Sequence, residues 1–188
     1  VVILLGLMIH SGLALEKATM PVMRLAVALD ATTLESNKKI AGELRDMGIG
    51  LKVGLRSFMQ GGPQYVEDLK QISPGNAIVL DLKLHDIPNT MADAAEEACK
   101  MGVDAIILHA SAGVAAMKGV MERIDRVTLR GARPTVLAVT ILTSFTNDDM
   151  MNVYGSIDRV THVEELANLA IDDAGLDGVV CAPVDVPR

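Results

Sequence analysis

The chain has 188 residues, half of them hydrophobic, enough apolar material for one well-buried core and too little length for two ordinary domains. Its formal net charge is −7 and only 2% of its residues are aromatic, which argues against a nucleic-acid binder, since that function wants a basic footprint and stacking rings. Two cysteines, Cys99 and Cys181, lie far apart and form no disulfide framework or zinc spacing, so they read as small buried hydrophobes of a reduced, cytoplasmic protein.

The chain opens on an apolar run, Val1 to Ile9, too short for a bilayer span of about 20 residues. No basic segment precedes it, and Met20 and Met23 stand just before the first strand-like stretch. Residues 1–22 are expected to be a dispensable leader outside the folded domain, in preference to a core-packing helix or an export signal, with residues 23–188 as the domain proper.

From there, short β-rich runs alternate with helical stretches. Leu25-Ala-Val-Ala-Leu29 is a continuous apolar run ending in Asp30, as in a strand buried on both faces. Thr32 or Thr33 caps a helix to about Met47, and Gly48 stops it. Gly50–Gly54 is the second strand, and a helix from about Gly62 to Ile72 follows, with Pro63 in its first turn. Ala77–Lys83 is the third strand, and Pro88 opens a helix ending near Met101 and Gly102. Asp104–His109 is the fourth strand, with a helix from Ala112 to about Arg126 behind it. Pro134–Ile141 is the fifth strand, and a helix from about Val163 to Ala174 leads to a sixth at Gly178–Cys181.

Regular βα repetition with fully apolar strands predicts a parallel sheet, open or closed. Asp30, Lys52, Asp81, Lys83, His109 and Thr140 or Thr143 all fall at or just past the C-terminal ends of successive strands. Polar groups delivered to one end by five strands suit a β/α barrel mouth, whereas an open sheet would gather its contacts at one switch point behind a glycine-rich turn. The expected fold is therefore a (β/α)8 TIM barrel. Six units are countable where that barrel has eight, and 188 residues fall below its roughly 200-residue lower end, so the chain is expected to be an incomplete barrel.

The chemistry concentrates in the third strand. Residues i and i+2 of a strand face one way, so Asp81 and Lys83 should point together, with Asp86 just beyond the strand end. A lysine bracketed by two carboxylates stays protonated, which makes it a proton donor rather than a nucleophile. Spacing alone leaves a structural ion-pair network equally open.

The wider segment decides for catalysis. Leu80-Asp-Leu-Lys-Leu-His-Asp-Ile-Pro-Asn-Thr90 resembles the signature of orotidine 5′-monophosphate decarboxylases. Leu25-Ala-Val-Ala-Leu-Asp30, Leu51-Lys-Val-Gly54, Leu108-His-Ala-Ser111, Ala138-Val-Thr-Ile-Leu-Thr-Ser144 and Gly175-Leu-Asp-Gly-Val-Val-Cys181 agree in order and context, from about Met23 to Cys181. The resemblance implies a cofactor-free enzyme converting orotidine 5′-monophosphate to UMP, homodimeric, with active sites at the subunit interface, and with neither a membrane nor a nucleic acid as partner. By position, Lys83 would protonate C6 of the pyrimidine, Asp81 would face the substrate carboxylate, and Asp86 would cross into the neighbouring subunit's site. Lys52 would link Asp81 to the ribose, Asp30 would bind the ribose, and Thr143 would contact the pyrimidine. Ile87 and Thr90 would line the partner's ribose pocket. His85 is expected outside the catalytic set, and His109 in a packing or supporting role.

The family's phosphate-gripping Gly-x-Arg turn, last strand loop and glutamine past strand six have no counterpart, and Arg188 cannot stand in for them. The 188-residue chain as written is therefore expected to turn over little. Two alternatives stay open. One is the magnesium-dependent sugar-phosphate decarboxylase and aldolase branch of the same superfamily. The other is a non-catalytic dimer partner donating Asp86.

Overall fold

The computed structural model describes residues 25–128 and 133–185. The expectations for residues 1–22 and for Arg188 lie outside them. Six strands form one sheet: β1 (Ala26–Ala28), β2 (Gly50–Gly54), β3 (Ile78–Leu84), β4 (Ala105–His109), β5 (Thr135–Val139) and β6 (Gly178–Val180). Their order in the sheet is their order in the chain, and every neighbouring pair is parallel. Such an unreversed order has no switch point and is the strand sequence of a β/α barrel, as the sequence predicted. Among the described residues, β1 and β6 are the two edges.

Between the strands run α1 (Leu34–Glu43), α2 (Leu55–Ile72), α3 (Pro88–Lys100), α4 (Val114–Val127), α5 (Asn147–Tyr154) and α6 (Arg159–Asn168). Strand alternation divides the apolar side chains into two layers. Leu51, Val53, Leu80, Ile106, Leu108 and Ala138 pack against Tyr65, Leu69, Met91, Met117 and Ile124 of the helices. Ala26, Val79, Ala105, Ile107, Leu137 and Val139 form a second cluster on the opposite, inner face. Burying a large aliphatic side chain stabilises by roughly 1.5–3 kcal/mol, so the helix-facing layer dominates the stability.

At the N-terminal end of the sheet, two aspartates hold neighbouring strands. Asp104 accepts from the Ile78 N–H at 2.7 Å, and Asp177 from the Val136 N–H at 2.9 Å. Asp177 is in turn gripped by both Arg133 Nη atoms, at 2.6 and 2.8 Å. This end is strapped, leaving the opposite end to carry chemistry.

Several boundaries differ from expectation. The helix predicted from Gly62 begins at Leu55, directly off β2; Gly62 (φ 57°) is a kink inside it, where Pro63 starts the second half. Pro63 cannot donate an N–H, so the break falls just before it. The first helix ends at Glu43 rather than Met47. Helix α5 was not anticipated, although it has a reciprocal Thr146–Asp149 capping box and Gly155 in the left-handed conformation at its end. The helix expected from Val163 starts at Arg159, capped by Asp158, and closes in a π-helical turn at Leu169–Asp173. Among the described residues, no helix is long and apolar enough to cross a membrane.

Candidate active site

The inner face of β2 and β3 turns from apolar to charged at its C-terminal end. Val79 belongs to the inner cluster, and two residues later Asp81 continues the same face. Lys52, opposite Val79 in the register, also points away from the helix-packed Leu51 and Val53. Lys52 and Asp81 are each 5% exposed, a burial that charged residues tolerate only when paired. They pair with each other: Lys52 Nζ lies 3.1 Å from Asp81 Oδ2.

Two further charges extend the pair toward solvent. Lys83 Nζ donates to Asp81 Oδ1 at 2.7 Å and to Oδ2 at 2.9 Å, while Asp30 Oδ2 stands 3.9 Å from Lys52 Nζ. The side chains of Lys83 and Asp30 are 33% and 52% exposed. The result is an alternating row, Asp30–Lys52–Asp81–Lys83, buried at its centre and open to solvent at both ends.

Lys83 reaches Asp81 by a different route from plain strand alternation. Its φ is +50°, a left-handed conformation that costs a non-glycine residue about 1–2 kcal/mol. The β3–β4 register shifts between Leu80 and Leu84 at the same place. This bulge turns the backbone beyond Asp81 and swings the ammonium back over the carboxylate, the kind of strained geometry that collects at functional sites. The expected bracketing is also revised within one subunit. Asp81 sits between two lysines, and Asp86 pairs with no cation among the described residues; its Oδ1 accepts from the Ile87 N–H at 2.7 Å.

Three residues that the sequence did not single out shape the row. Asn37, in α1, and Ser57, in α2, are fully buried. Asn37 Nδ2 donates to Ser57 Oγ at 3.1 Å, Ser57 Oγ to the Leu29 carbonyl at 2.7 Å, and the Ala31 N–H to Asn37 Oδ1 at 2.9 Å. The backbone is thus held on both sides of Asp30. Gly54 leaves room for the side chain: a Cβ there would stand 3.1 Å from Asp30 Oδ1 and 3.8 Å from Lys52 Nζ.

The two histidines near the rim face each other. His109, half-buried at the end of β4, packs edge-on against His85 with ring centroids 5.6 Å apart. Burial holds its pKa below the ordinary value of 6.5, and the nearby His85 and Lys83 add to this against an opposing pull from Asp81. Above pH 6.5 the ring is therefore mainly neutral. Cys99 and Cys181 are free and half-buried, and burial raises both thiol pKa values, which fits packing rather than nucleophilic roles. Thr140 is buried, its hydroxyl donating to the Val180 carbonyl at 3.3 Å, whereas Thr143, Ile87 and Thr90 are exposed at the same end of the sheet.

Residues 23–187 match the family described as orotidine 5′-phosphate decarboxylase / HUMPS. The chain belongs to that family. Among its relatives, the orotidine 5′-phosphate decarboxylase of Sulfurimonas denitrificans is 48% identical over 160 residues, covering 85% of this chain and 68% of that protein. That of Nautilia profundicola is 48% identical over 163 residues, covering 85% and 67%. The crystal structure of the Lactobacillus acidophilus decarboxylase superposes with a TM-score of 0.74 at 35% identity, over 85% of this chain and 71% of that one. The orotidylate decarboxylase / HUMPS fold thus accounts for six sequential parallel strands as units of a β/α barrel, and its match spans every residue of the charged row.

Proposed function

We propose that this protein decarboxylates orotidine 5′-monophosphate to UMP at the Asp30–Lys52–Asp81–Lys83 row, with Lys83 as proton donor. The observation that carries the reading is the bidentate approach of Lys83 to the buried Asp81 carboxylate, at 2.7 and 2.9 Å. Breaking the bond between C6 and the carboxylate carbon releases carbon dioxide and leaves an electron pair on C6, a ring carbon with no attached electron sink. An ammonium already fixed at that point stabilises the developing charge without reorganising, and then gives its proton to C6. Water restores the proton to Lys83.

The other groups divide the remaining work. Asp81 faces the substrate carboxylate and holds the Lys83 ammonium in place. Lys52 neutralises Asp81 from below and, with Asp30, takes the ribose hydroxyls. Thr143 contacts the pyrimidine. Asp86, Ile87 and Thr90 serve the site of a second subunit in a homodimer, a role supported by their exposure at the same rim. The relatives, named as orotidine 5′-phosphate decarboxylases, support this branch of the family. So does Lys52: its ammonium, 3.1 Å from Asp81 Oδ2, would repel a divalent cation seeking that carboxylate. A cytoplasmic protein acting on a soluble nucleotide, without nucleic-acid or membrane partners, fits the acidic charge and free cysteines.

The test is UMP formation from orotidylate with and without a metal chelator. Formation that survives the chelator and disappears in Lys83→Ala supports the reading; loss with the chelator supports the magnesium-dependent branch. Mixing Lys83→Ala with Asp86→Ala protein tests the shared site. Random pairing in a two-fold dimer would restore about a quarter of the unsubstituted activity, and no recovery would place Asp86 outside the neighbour's site.

A further inference from the structure

We propose that Arg159, at the start of α6, is a positioning residue that locks the Thr143 loop to the turn after β6; the inference rests on the decarboxylase reading. The β5–β6 ladder ends at Val139 opposite Val180, and Thr140 adds one last backbone bond to the Val180 carbonyl at 3.1 Å. Beyond it the chain leaves the sheet at Ile141 and Leu142, immediately before Thr143. Arg159 takes over there. Its Nη2 donates to the Ile141 carbonyl at 3.3 Å and its Nη1 to the Leu142 carbonyl at 3.2 Å.

The other edge of the same guanidinium is engaged by Asp185. Arg159 Nε donates to Asp185 Oδ1 at 2.9 Å and Nη2 to Oδ2 at 3.1 Å. The Asp185 side chain is 2% exposed, and its Oδ2 also accepts from the Ala182 N–H at 3.2 Å, closing the turn after β6. One planar fork thus ties two consecutive carbonyls of one loop to a carboxylate fixed in the next. A lysine has neither the second edge nor the rigid plane to do this. The buried carboxylate, besides closing its own turn, reaches the Thr143 loop only through the arginine. Thr143 then stands on a backbone fixed at both preceding residues, which sets where its hydroxyl meets the pyrimidine.

The experiment combines kinetics with hydrogen–deuterium exchange on Arg159→Ala, Arg159→Lys, Thr143→Ala and the double variants. The expected result is a loss of about tenfold to a hundredfold in kcat/KM for either Arg159 variant. Exchange should quicken over residues 141–145 and stay unchanged in β1–β3. The double variants should be no worse than Thr143→Ala alone, because both changes remove one contact. Arg159→Lys keeps the stem and the charge, so it reports even where Arg159→Ala does not fold. An Arg159→Lys protein within twofold of the unsubstituted one, or losses that multiply in the double variant, would overturn the inference alone. No turnover by the unsubstituted protein would overturn the decarboxylase reading, and this inference with it.

Discussion

Lys52 and Asp81 meet at 3.1 Å with each side chain only 6% exposed, which makes them the most deeply buried ion pair of the charged row. A buried pair gains little over an apolar replacement, but removing Asp81 leaves the buried Lys52 only the more distant Asp30, at 3.9 Å. Asp81→Ala should therefore destabilise the protein by about 3–5 kcal/mol, as well as abolish turnover. Urea unfolding followed by circular dichroism measures the first effect. A loss below about 1 kcal/mol would mean that Lys52 finds water, as exposed pairs do.

Gly54 separates the needs of the site from those of the fold. A methyl group there would press on Asp30 Oδ1 at 3.1 Å, while at Gly42, inside α1, it would meet only Ile72 Cγ2 at 3.7 Å. Gly54→Ala should lower kcat/KM with little change in melting temperature. Gly42→Ala should leave activity alone and stabilise by roughly 0.4–1 kcal/mol, through the unfolded chain's lost freedom. Equal kinetics for the two variants would remove the role given to Gly54.

Ser57 and Asn37 hold the backbone around Asp30 from beneath. Ser57→Ala leaves the fully buried Asn37 amide without its 3.1 Å acceptor, a cost of about 1–3 kcal/mol for an unsatisfied buried group. A raised KM should accompany the stability loss, since Asp30 is freed to move. Thermal melts paired with steady-state kinetics check both; a melt unchanged within error would show that water replaces the serine.

His109 gives the molecule a pH dependence of definite sign. Its folded pKa lies below 6.5, so between that value and 6.5 the unfolded chain binds more protons than the folded one. The stability it contributes is present above 6.5 and declines as the pH falls through that window. Proton NMR should find it titrating below 6.5, and His85→Ala should move it upward by removing a neighbour that lowers it. A downward move, or none, would contradict the facing geometry.

The barrel and the centre of the site were legible because both are written locally. Apolar runs ending in polar residues reported the strands and their chemical end, and Asp81 and Lys83 fall in one short segment. What escaped depends on distance along the chain. Asn37 reads as an ordinary polar residue of α1 until Ser57, 20 residues on, is brought beside it; Arg159 meets Asp185 only across 26 residues. The first half of α2 was hidden for another reason. It follows β2 without a loop or a side-chain cap, so Gly62 and Pro63 looked like its beginning. The left-handed turn at Lys83 carries no signal at all, since lysine does not favour it.

In the proposed reaction the Lys83 ammonium delivers the proton to C6. Assaying Lys83→Ala with and without added ethylammonium probes that step. General-acid groups contribute typically 10²–10⁴-fold, so UMP formation should fall by at least about a hundredfold and recover in part, in proportion to the added amine. UMP formation by Lys83→Ala at the unsubstituted rate, or a large loss that no primary amine relieves, would contradict it.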